Sequence, residues 1–328
     1  MSKTIRIATR GSKLALWQAN YVADLLKNQG HQPEIKIIKT EGDRVQDRFL
    51  HEMGGKGVFV RELEHRLHEK DADIAVHSLK DLPAKTPKPF TLAAIMKRHR
   101  AHDILVVKPE SEGKLPIEKS KIGIEDLKSC GKFEIATASL RRQSLLKQCG
   151  SDIKLHPVRG NVDTRLRKLV EGDWDGLILA GASLERLEIT EYHTKILDPD
   201  WFIPCAAQGA LAIETLEDSP AREAVGFLNC PVTNACATME RKILEKLGGD
   251  CTMPFGAYIF PTDKGTTAHA TVLNYDGKEA TVTQHSEQKV EEIDQEAFVN
   301  SILTELAKKG VKEILSDLDL KTPDLGSL

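Results

Sequence analysis

Strand-like and helix-like segments alternate through the first part of the chain, and this alternation limits the folds open to it. Residues 4–9 and 34–40 have the apolar pattern of strands, and between them apolar side chains recur at helical spacing from Leu14 to Leu25. Ser12 is placed to cap this helix at its start. Strands separated by helices favour a mostly parallel sheet with covered faces, so the sequence predicts an α/β fold.

The same alternation resumes in the middle of the chain and then gives way to a different pattern. Residues 133–137, 153–158 and 176–180 have strand patterns, and each is followed by a helical segment. From about residue 232 the pattern instead predicts one helix, three strands and a long amphipathic helix. Asp276-Gly277 joins the last two strands with a strong signal for a two-residue hairpin. These patterns predict a second α/β domain and a small α+β third domain.

Composition restricts the kind of protein that this chain can be. Charged residues make up 29% and the net charge is only −3, so no overall field favours a nucleic-acid or membrane partner. No apolar run approaches the roughly 18 residues of a membrane span, and no signal-peptide core follows Met1. The six cysteines form no Cys-x-x-Cys pair, and no histidines stand near them at zinc spacing, so no metal is expected. A cytoplasmic enzyme or binding protein is expected.

The clearest chemical signal lies where a short apolar segment breaks into polar residues. Residues 74–76 predict a buried strand. The residues after this strand include His77, Ser78, Lys80 and Asp81, ahead of Pro83. Ligands of open α/β sheets collect at the carboxyl ends of strands, so a carboxylate and an ammonium at this place are candidates for chemistry. A polar turn without a function is the alternative for this segment taken alone.

Arginines follow the predicted strands at equivalent places. They are Arg10 in the first domain and Arg141, Arg142, Arg159, Arg165 and Arg186 in the second. A solvated surface position explains any single arginine, but an arginine in a first helical turn is repelled by the positive end of the helix dipole. Repetition of this cost suggests an anion that helix amides and guanidinium groups bind together. A cleft with so many arginines is expected to bind several carboxylates or phosphates.

Two glycine-rich segments carry weaker signals. Gly54-Gly-Lys-Gly57 lacks both the spacing of a phosphate-binding loop and a preceding apolar strand, so a flexible active-site loop is favoured. Cys251 follows Gly248-Gly-Asp250 just beyond a predicted helix C-terminus. The negative end of the helix dipole and Asp250 both oppose thiolate formation. The local sequence therefore argues against a turnover nucleophile and leaves an inert cysteine as the alternative.

Seven motifs, in order and almost from end to end of the chain, resemble those of one enzyme family. They are Arg6-Ile-Ala-Thr-Arg-Gly-Ser12 with Leu-Ala-Leu-Trp-Gln18, Gly54-Gly-Lys-Gly-Val-Phe59, His77-Ser-Leu-Lys-Asp-Leu-Pro83, Ser139-Leu-Arg-Arg-Gln143, Arg159-Gly-Asn-Val-Asp-Thr-Arg165, Gln208-Gly-Ala210 and Gly248-Gly-Asp-Cys251. On these motifs the chain resembles hydroxymethylbilane synthase, also called porphobilinogen deaminase, of tetrapyrrole biosynthesis.

The resemblance implies three domains, two of them α/β lobes like those of periplasmic binding proteins and the third a small α+β domain. Residues 1–105 and 206–228 are expected to form domain one, residues 106–205 domain two, and residues 229–328 the domain with the cofactor cysteine. The family joins four porphobilinogen molecules head to tail, with release of ammonia, on a dipyrromethane cofactor assembled from two more. A monomeric, cytoplasmic transferase of porphyrin and heme biosynthesis is therefore expected.

The functional residues of the family map onto the motifs of this chain. The resemblance implies Asp81 as the catalytic carboxylate with Lys80 beside it, and Cys251 as the thioether anchor of the dipyrromethane. Further cofactor contacts are implied for Ser12, Ser78, Lys80, Ser139, Arg141 and Arg142. Substrate contacts are implied for Arg10, Arg159, Arg165, Arg186 and Gln208. The mobile loop is implied to contain Gly54, Gly55, Lys56, Gly57 and Phe59.

Two other functions fit part of the pattern. A non-catalytic anion-binding protein with two lobes would explain the arginines, but it does not explain Cys251 in a third domain. A phosphate-handling transferase would also use arginines, but the chain lacks the loop motif of that class.

Overall fold

A computed structural model describes residues 4–39, 60–116, 118–150, 152–250 and 253–318. These residues belong to two compact units. The first unit takes its residues from Met1–His99 and Gly209–Asn234, and the second takes its residues from Arg100–Gln208 and Ala235–Leu328.

The strands and helices are numbered in chain order. The strands are β1 (Thr4–Arg10), β2 (Gln32–Ile38), β3 (Ile74–Ser78), β4 (Phe90–Ile95), β5 (Asp103–Val107), β6 (Lys121–Ile122), β7 (Phe133–Ala136), β8 (Ile153–His156), β9 (Gly176–Ala180), β10 (His193–Leu197), β11 (Leu211–Leu216), β12 (Phe255–Thr262), β13 (Gly265–Leu273) and β14 (Glu279–Ser286). The α-helices are α1 (Lys13–Asn28), α2 (Arg61–His68), α3 (Ile124–Ser129), α4 (Leu140–Lys147), α5 (Val162–Glu171), α6 (Gly181–Arg186), α7 (Ala221–Val225), α8 (Pro231–Lys246), α9 (Gln295–Lys308) and α10 (Val311–Asp317). Short 3-10 helices cover Leu79–Asp81, Pro109–Lys114 and Gly226–Leu228.

The first unit is built on one sheet with the strand order β2-β1-β3-β11-β4. Strand β1 is parallel to β2 and β3, whereas β11 is antiparallel to β3 and β4. Ile7 of β1 faces a core that contains Val22 of α1, while the next residue, Ala8, packs with Leu63 and Leu67 of α2 on the opposite face. The alternation of side chains along a strand thus buries both faces of this sheet.

The second unit contains a six-stranded sheet with the order β6-β10-β5-β9-β7-β8. Strand β7 is parallel to β8 and β9, and β5 is antiparallel to β9 and β10. Leu105 and Val107 of β5 enter one hydrophobic core, and Ile104 and Val106 enter another on the opposite face. This sheet is therefore also covered on both sides, as the near-continuous apolar run of β5 requires.

The second unit also contains a three-stranded antiparallel sheet, β12-β13-β14, which is called the small sheet. The predicted hairpin is confirmed, because Gly277 has a φ of +89° in the turn between β13 and β14. Helix α9 comes after the small sheet with Asp294 as its N-cap, whose carboxylate accepts hydrogen bonds from the backbone N–H groups of Glu296 and Ala297. A capped helix beside an antiparallel sheet gives this part of the chain its α+β character.

The predicted α/β class with a small α+β part is confirmed, but each of the two large sheets departs from the predicted parallel pattern at one strand. Both large sheets are mixed, because β5 and β11 run antiparallel to the strands beside them. Each of these two strands comes after a passage of the chain from one unit to the other, which periodicity within a segment does not reveal. The three domain boundaries stay a prediction. Of the helices in the described ranges, none is both long and apolar enough to cross a membrane.

Candidate functional site

The polar residues after β3 lie in the 3-10 turn Leu79–Asp81. The Leu79 side chain is fully buried, and its backbone N–H donates a 3.0 Å hydrogen bond to the carbonyl oxygen of Ala210. Lys80 is half-buried and Asp81 is exposed. The buried leucine therefore anchors the turn while the carboxylate of Asp81 is left accessible to a ligand.

Other predicted residues lie at the same edge of the first sheet. Strands β1 and β3 are parallel neighbours, so their carboxyl ends meet at one edge, where Arg10 ends β1 and Ser78 ends β3. Ser12 caps α1 and accepts a 3.3 Å hydrogen bond from the backbone N–H of Ala15. The buried side chain of Gln18 donates a 2.8 Å hydrogen bond from Nε2 to Ser78 Oγ. This edge brings arginine, serine, lysine and aspartate together.

A buried acid–base pair supports the same edge from the interior. His77 Nε2 lies 3.0 Å from Glu214 Oε2, and both side chains are almost completely buried. The two residues belong to the neighbouring strands β3 and β11. The sequence did not reveal this pair, because Glu214 is 137 residues away from His77 and the sequence of its strand resembles those of the other apolar strands. The pair fixes β11 against the strand that leads into the catalytic candidate.

In the second unit, Arg141 and Arg142 surround a buried carboxylate that the sequence did not reveal. Arg141 donates from Nη2 to Asp103 Oδ2 at 2.6 Å. Arg142 donates from Nη2 and Nε to Asp103 Oδ1 at 2.6 and 3.1 Å. Gln208 Nε2 adds a hydrogen bond of 3.0 Å to Oδ1.

Asp103 is 0% exposed, so its charge is stabilised by these neighbours rather than by water. The four residues Asp103, Arg141, Arg142 and Gln208 are called the Asp103 cluster.

The charges in this cluster hold Asp103 in its ionised form. Burial by itself raises the pKa of a carboxyl, but the positive charges of Arg141 and Arg142 and their hydrogen bonds lower it by more. The pKa of Asp103 therefore lies well below its ordinary value. One carboxylate between two guanidinium groups leaves an excess positive charge, which favours a further anion beside the cluster.

The predicted helix start at Ser139 is confirmed, but the side chains after it are more buried than an open anion site requires. Ser139 caps α4 and accepts a 3.5 Å hydrogen bond from the backbone N–H of Arg142. Arg141 also donates from Nη1 to the Ile203 carbonyl at 2.7 Å. Among the described residues, Arg141 Nε is buried and has no hydrogen-bond partner. That donor and the excess positive charge fit one further carboxylate.

Gln208 is used inside the protein. Besides Asp103, its Nε2 donates a 2.6 Å hydrogen bond to the carbonyl oxygen of Ala101, and the residue is only 1% exposed. Both amide hydrogens are thus engaged, so Gln208 holds the Asp103 cluster together. Direct substrate contact by Gln208 stays a prediction.

The remaining arginines differ in burial. Arg159 is half-buried in the loop between β8 and α5, and Arg165 is half-buried in the first turn of α5. Arg165 Nε donates to the Gly160 carbonyl at 2.7 Å. Gly160 has a φ of +109°, and a Cβ there would lie 2.7 Å from Thr164 Cγ2, so the loop needs glycine at this place. Arg186 is buried at the end of α6.

Several predicted residues lie outside the described part of the chain. They are Cys251 and the loop residues Gly54, Gly55, Lys56, Gly57 and Phe59. Of the described cysteines, Cys149 has a thiol whose pKa burial raises to about 12, which makes it a poor nucleophile. Within the described ranges no cluster of three or more His, Cys, Asp or Glu side chains could hold a metal ion.

Comparison with known proteins gives a consistent result. The family model described as "Porphobilinogen deaminase, dipyromethane cofactor binding domain" matches residues 5–224. A porphobilinogen deaminase of Legionella pneumophila (strain Paris) is 39% identical over 321 residues, which cover 97% of this chain and 99% of that protein. A probable porphobilinogen deaminase of Methanosarcina mazei is 43% identical over 278 residues, which cover 84% of this chain and 83% of that protein.

Solved structures give more distant likenesses. A protein described as the "probable amino-acid ABC transporter extracellular-binding protein" YtmK of Bacillus subtilis is 14% identical with a TM-score of 0.40, over 76% of this chain and 99% of that one. The LysR family transcriptional regulator CbnR is 11% identical with a TM-score of 0.44, over 70% of each chain. Likeness at this level says nothing about activity.

We expect Asp103→Asn to destabilise the second unit by about 3–5 kcal/mol at neutral pH, because it leaves two buried guanidinium groups without their counter-ion. A carboxyl with a depressed folded-state pKa contributes stability that is present above its unfolded pKa and is lost as the pH falls to the folded value. The difference in the free energy of unfolding between the wild type and the variant should therefore decrease below about pH 4. Urea denaturation from pH 3 to 8 measures it, with the exposed Asp173→Asn as control; a deficit that does not depend on pH would contradict the assignment.

Proposed function

The chain belongs to the porphobilinogen deaminase family, and from that membership we propose that it is a hydroxymethylbilane synthase. In this proposal it joins four porphobilinogen molecules head to tail, releases ammonia at each step, and releases linear hydroxymethylbilane for tetrapyrrole biosynthesis. The observation that carries the proposal is the family match, which spans both the Lys80–Asp81 turn and the arginine-bearing helix α4. Cytoplasmic location and a monomeric state are part of the same proposal.

The charge of the substrate explains the arginines. Each pyrrole carries an acetate and a propionate group, so the growing chain is a polyanion, and guanidinium groups bind carboxylates through paired charged hydrogen bonds. We assign the substrate carboxylates to Arg10, Arg159, Arg165 and Arg186. Arg10 ends β1, Arg159 and Arg165 lie at the β8–α5 connection, and Arg186 ends α6. This spread over three places supports binding to successive rings rather than to one small anion.

A dipyrromethane cofactor fits the donors that the chain offers. When bound, it supplies the free pyrrole carbon to which the first substrate molecule is added. We propose that Ser12, Ser78, Lys80, Ser139, Arg141 and Arg142 hold it. The excess positive charge of the Asp103 cluster and the buried, unpartnered Nε of Arg141 among the described residues support a carboxylate at that place.

Cys251 is the proposed covalent anchor of the cofactor, through a thioether. Helix α8 ends at Lys246 and Asp250 directly precedes the cysteine, so both the helix dipole and a carboxylate disfavour the thiolate. A turnover nucleophile would be slowed by this environment. An anchor needs to react only once with a strongly electrophilic methylene-pyrrole, and then it stays bonded.

Asp81 is the proposed catalytic carboxylate. Loss of ammonia from porphobilinogen places positive charge on a pyrrole nitrogen, and an ionised carboxylate beside that nitrogen stabilises it. The same oxygen can take up the proton that the ring loses when it becomes aromatic again. The exposed position of Asp81, on a turn fixed by buried Leu79, supports this role because the carboxylate is both accessible and held in place. Lys80 beside it is proposed to bind a ring carboxylate.

The covalent cofactor is tested by the intact mass of the purified protein. We expect the wild type to carry an excess equal to two condensed porphobilinogen units and Cys251→Ala to carry none. Cys130→Ala, which changes a half-buried cysteine elsewhere in the second unit, should keep the excess. If Cys251→Ala gains the same excess on incubation with porphobilinogen, the anchor is wrong. If no protein gains mass, the anion-binding alternative is favoured.

Asp81→Asn should reduce kcat by about a hundredfold or more, because the amide neither stabilises the developing cation nor accepts the proton. The cofactor mass excess and the thermal midpoint should stay close to those of the wild type, because the side chain is exposed. Steady-state rates of hydroxymethylbilane formation measure the effect. Asp71→Asn, an exposed carboxylate in the same unit, is the control, and near-normal turnover by Asp81→Asn would refute the role.

Arg159→Leu should stall chain growth, because removing a charged hydrogen bond to a carboxylate costs about 1.5–3 kcal/mol. Mass spectra taken during turnover should show enzyme with fewer added pyrroles than the wild type carries. Arg167→Leu removes an exposed arginine of α5 that pairs with Glu171, and it should leave the distribution unchanged. Product formation by Arg159→Leu at the full rate would exclude a direct contact.

A further inference from the structure

Helix α4 is held at its N-terminal end by the small sheet. Arg141 donates to the carbonyl oxygen of Ile203, and the next carbonyl, that of Pro204, accepts a 2.9 Å hydrogen bond from the backbone N–H of Ala257 in β12. Strand β12 approaches so closely here that a Cβ on Gly256 would lie 2.7 Å from the Ile203 carbonyl oxygen. Only glycine permits this separation between the two backbones.

The other end of α4 is held by the hairpin of the same sheet. Gln148 Nε2 donates a 3.3 Å hydrogen bond to the Gly277 carbonyl, and Lys147 Nζ donates to the carbonyl oxygen of Tyr275. Gly277 has a φ of +89°, and a Cβ there would lie 3.0 Å from the Ser144 carbonyl oxygen. A second glycine thus allows the hairpin to rest directly on the backbone of α4.

Between these two contacts the small sheet shares the hydrophobic core of α4. Leu273, at the end of β13, is fully buried in the same cluster as Leu145, Leu146 and Phe202. Its backbone N–H donates a 2.9 Å hydrogen bond to the carbonyl oxygen of Pro254. Pro254 lies three residues after Cys251 in the sequence. One unit therefore connects the helix that bears Arg141 and Arg142 to the chain segment next to the cysteine.

Simple packing of a helix on a sheet does not require close backbone approaches at both ends. Interdigitating apolar side chains usually separate the backbones of packed elements, and such packing tolerates small sliding motions. Here Gly277 lies directly on the eight-residue helix, and Gly256 lies on the Ile203–Pro204 segment, whose Ile203 carbonyl binds Arg141; the two contacts together restrict both sliding and rotation. Such restriction matters where a group fixed to one element must meet binding residues on the other, because a misplacement of about 1 Å can reduce a rate about a hundredfold.

We propose that Gly256 and Gly277 are positioning residues that fix helix α4 relative to the segment bearing Cys251, so that a cofactor tethered there meets Arg141 and Arg142. This inference rests on the proposed function, because it needs a group attached to Cys251. Neither glycine touches the substrate; each acts through the backbone of the Ile203–Pro204 segment or of α4.

The test compares four alanine variants of the full-length protein. Gly256→Ala and Gly277→Ala place a Cβ in the two contacts. Gly113→Ala is the control for Gly256, and Gly150→Ala, with a φ of +95° three residues after the end of α4, is the control for Gly277. At both controls a Cβ meets none of the described atoms within 4 Å. The Gly150 variant has the same kind of backbone strain as the Gly277 variant without the contact.

Two readouts separate positioning from general destabilisation. Protein produced without porphobilinogen is mixed with it, and the appearance of the two-unit mass excess is followed by mass spectrometry. We expect this loading to be about tenfold slower in both contact variants than in their controls. In loaded enzyme we expect kcat to fall by about tenfold while KM for porphobilinogen stays within about twofold.

Each outcome decides the proposal. Loading and kcat that fall equally in Gly277→Ala and Gly150→Ala would overturn it, because strain alone would explain both. A wild type that gains no mass and makes no product would overturn the proposed function, and the positioning role with it. If Gly256→Ala does not fold, the decision rests on Gly277→Ala and on Lys147→Met, which removes the hydrogen bond to the Tyr275 carbonyl without adding a Cβ. Slower loading supports positioning, and normal loading in both variants refutes it.

Discussion

The buried ion pair between Asp103 and the two arginines of α4 is the interaction on which the second unit most depends. Asp103 begins β5, the arginines begin α4, and Gln208 ends the segment that returns to the first unit. An unpaired charge in this interior would cost several kcal/mol, so no one of these segments can leave while the others stay. The ion pair thus couples the strand, the helix and the returning segment, so that the three fold or unfold together.

The same pair changes how the arginines in first helical turns are understood. Their position at a positive helix end suggested an external anion, yet for Arg141 and Arg142 the first anion is Asp103, part of the protein itself. What remains for a ligand is the excess charge and one buried donor, Arg141 Nε, within the described structure. The number of arginines at helix starts therefore overestimates the number of ligand carboxylates that the site binds, because some of these arginines are already paired with carboxylates of the protein itself.

Local patterns in the sequence predicted what local interactions determine. The caps at Ser12 and Ser139, the hairpin at Gly277 and the break after β3 each depend on a few neighbouring residues, and all were predictable. The insertion of β11 between β3 and β4, the His77–Glu214 pair and the role of Asp103 depend on partners more than thirty residues away. An aspartate directly before the apolar run of β5 was the only local sign of Asp103, and a surface turn explains that sign equally well.

The differing burial of the arginines supports a division of labour between the stationary and the growing part of the product. Arg141 and Arg142 are locked by Asp103 and by carbonyl oxygens, so they suit a group that stays in one place for the life of the enzyme, such as a tethered cofactor. Arg10, Arg159 and Arg165 are only half-buried, so they suit rings that are added one after another. Arg186, although assigned to substrate, is as buried as the locked pair. Among the arginines assigned to substrate, Arg186 is therefore the one we propose for the ring next to the cofactor, and its replacement should impair the first addition rather than the later ones.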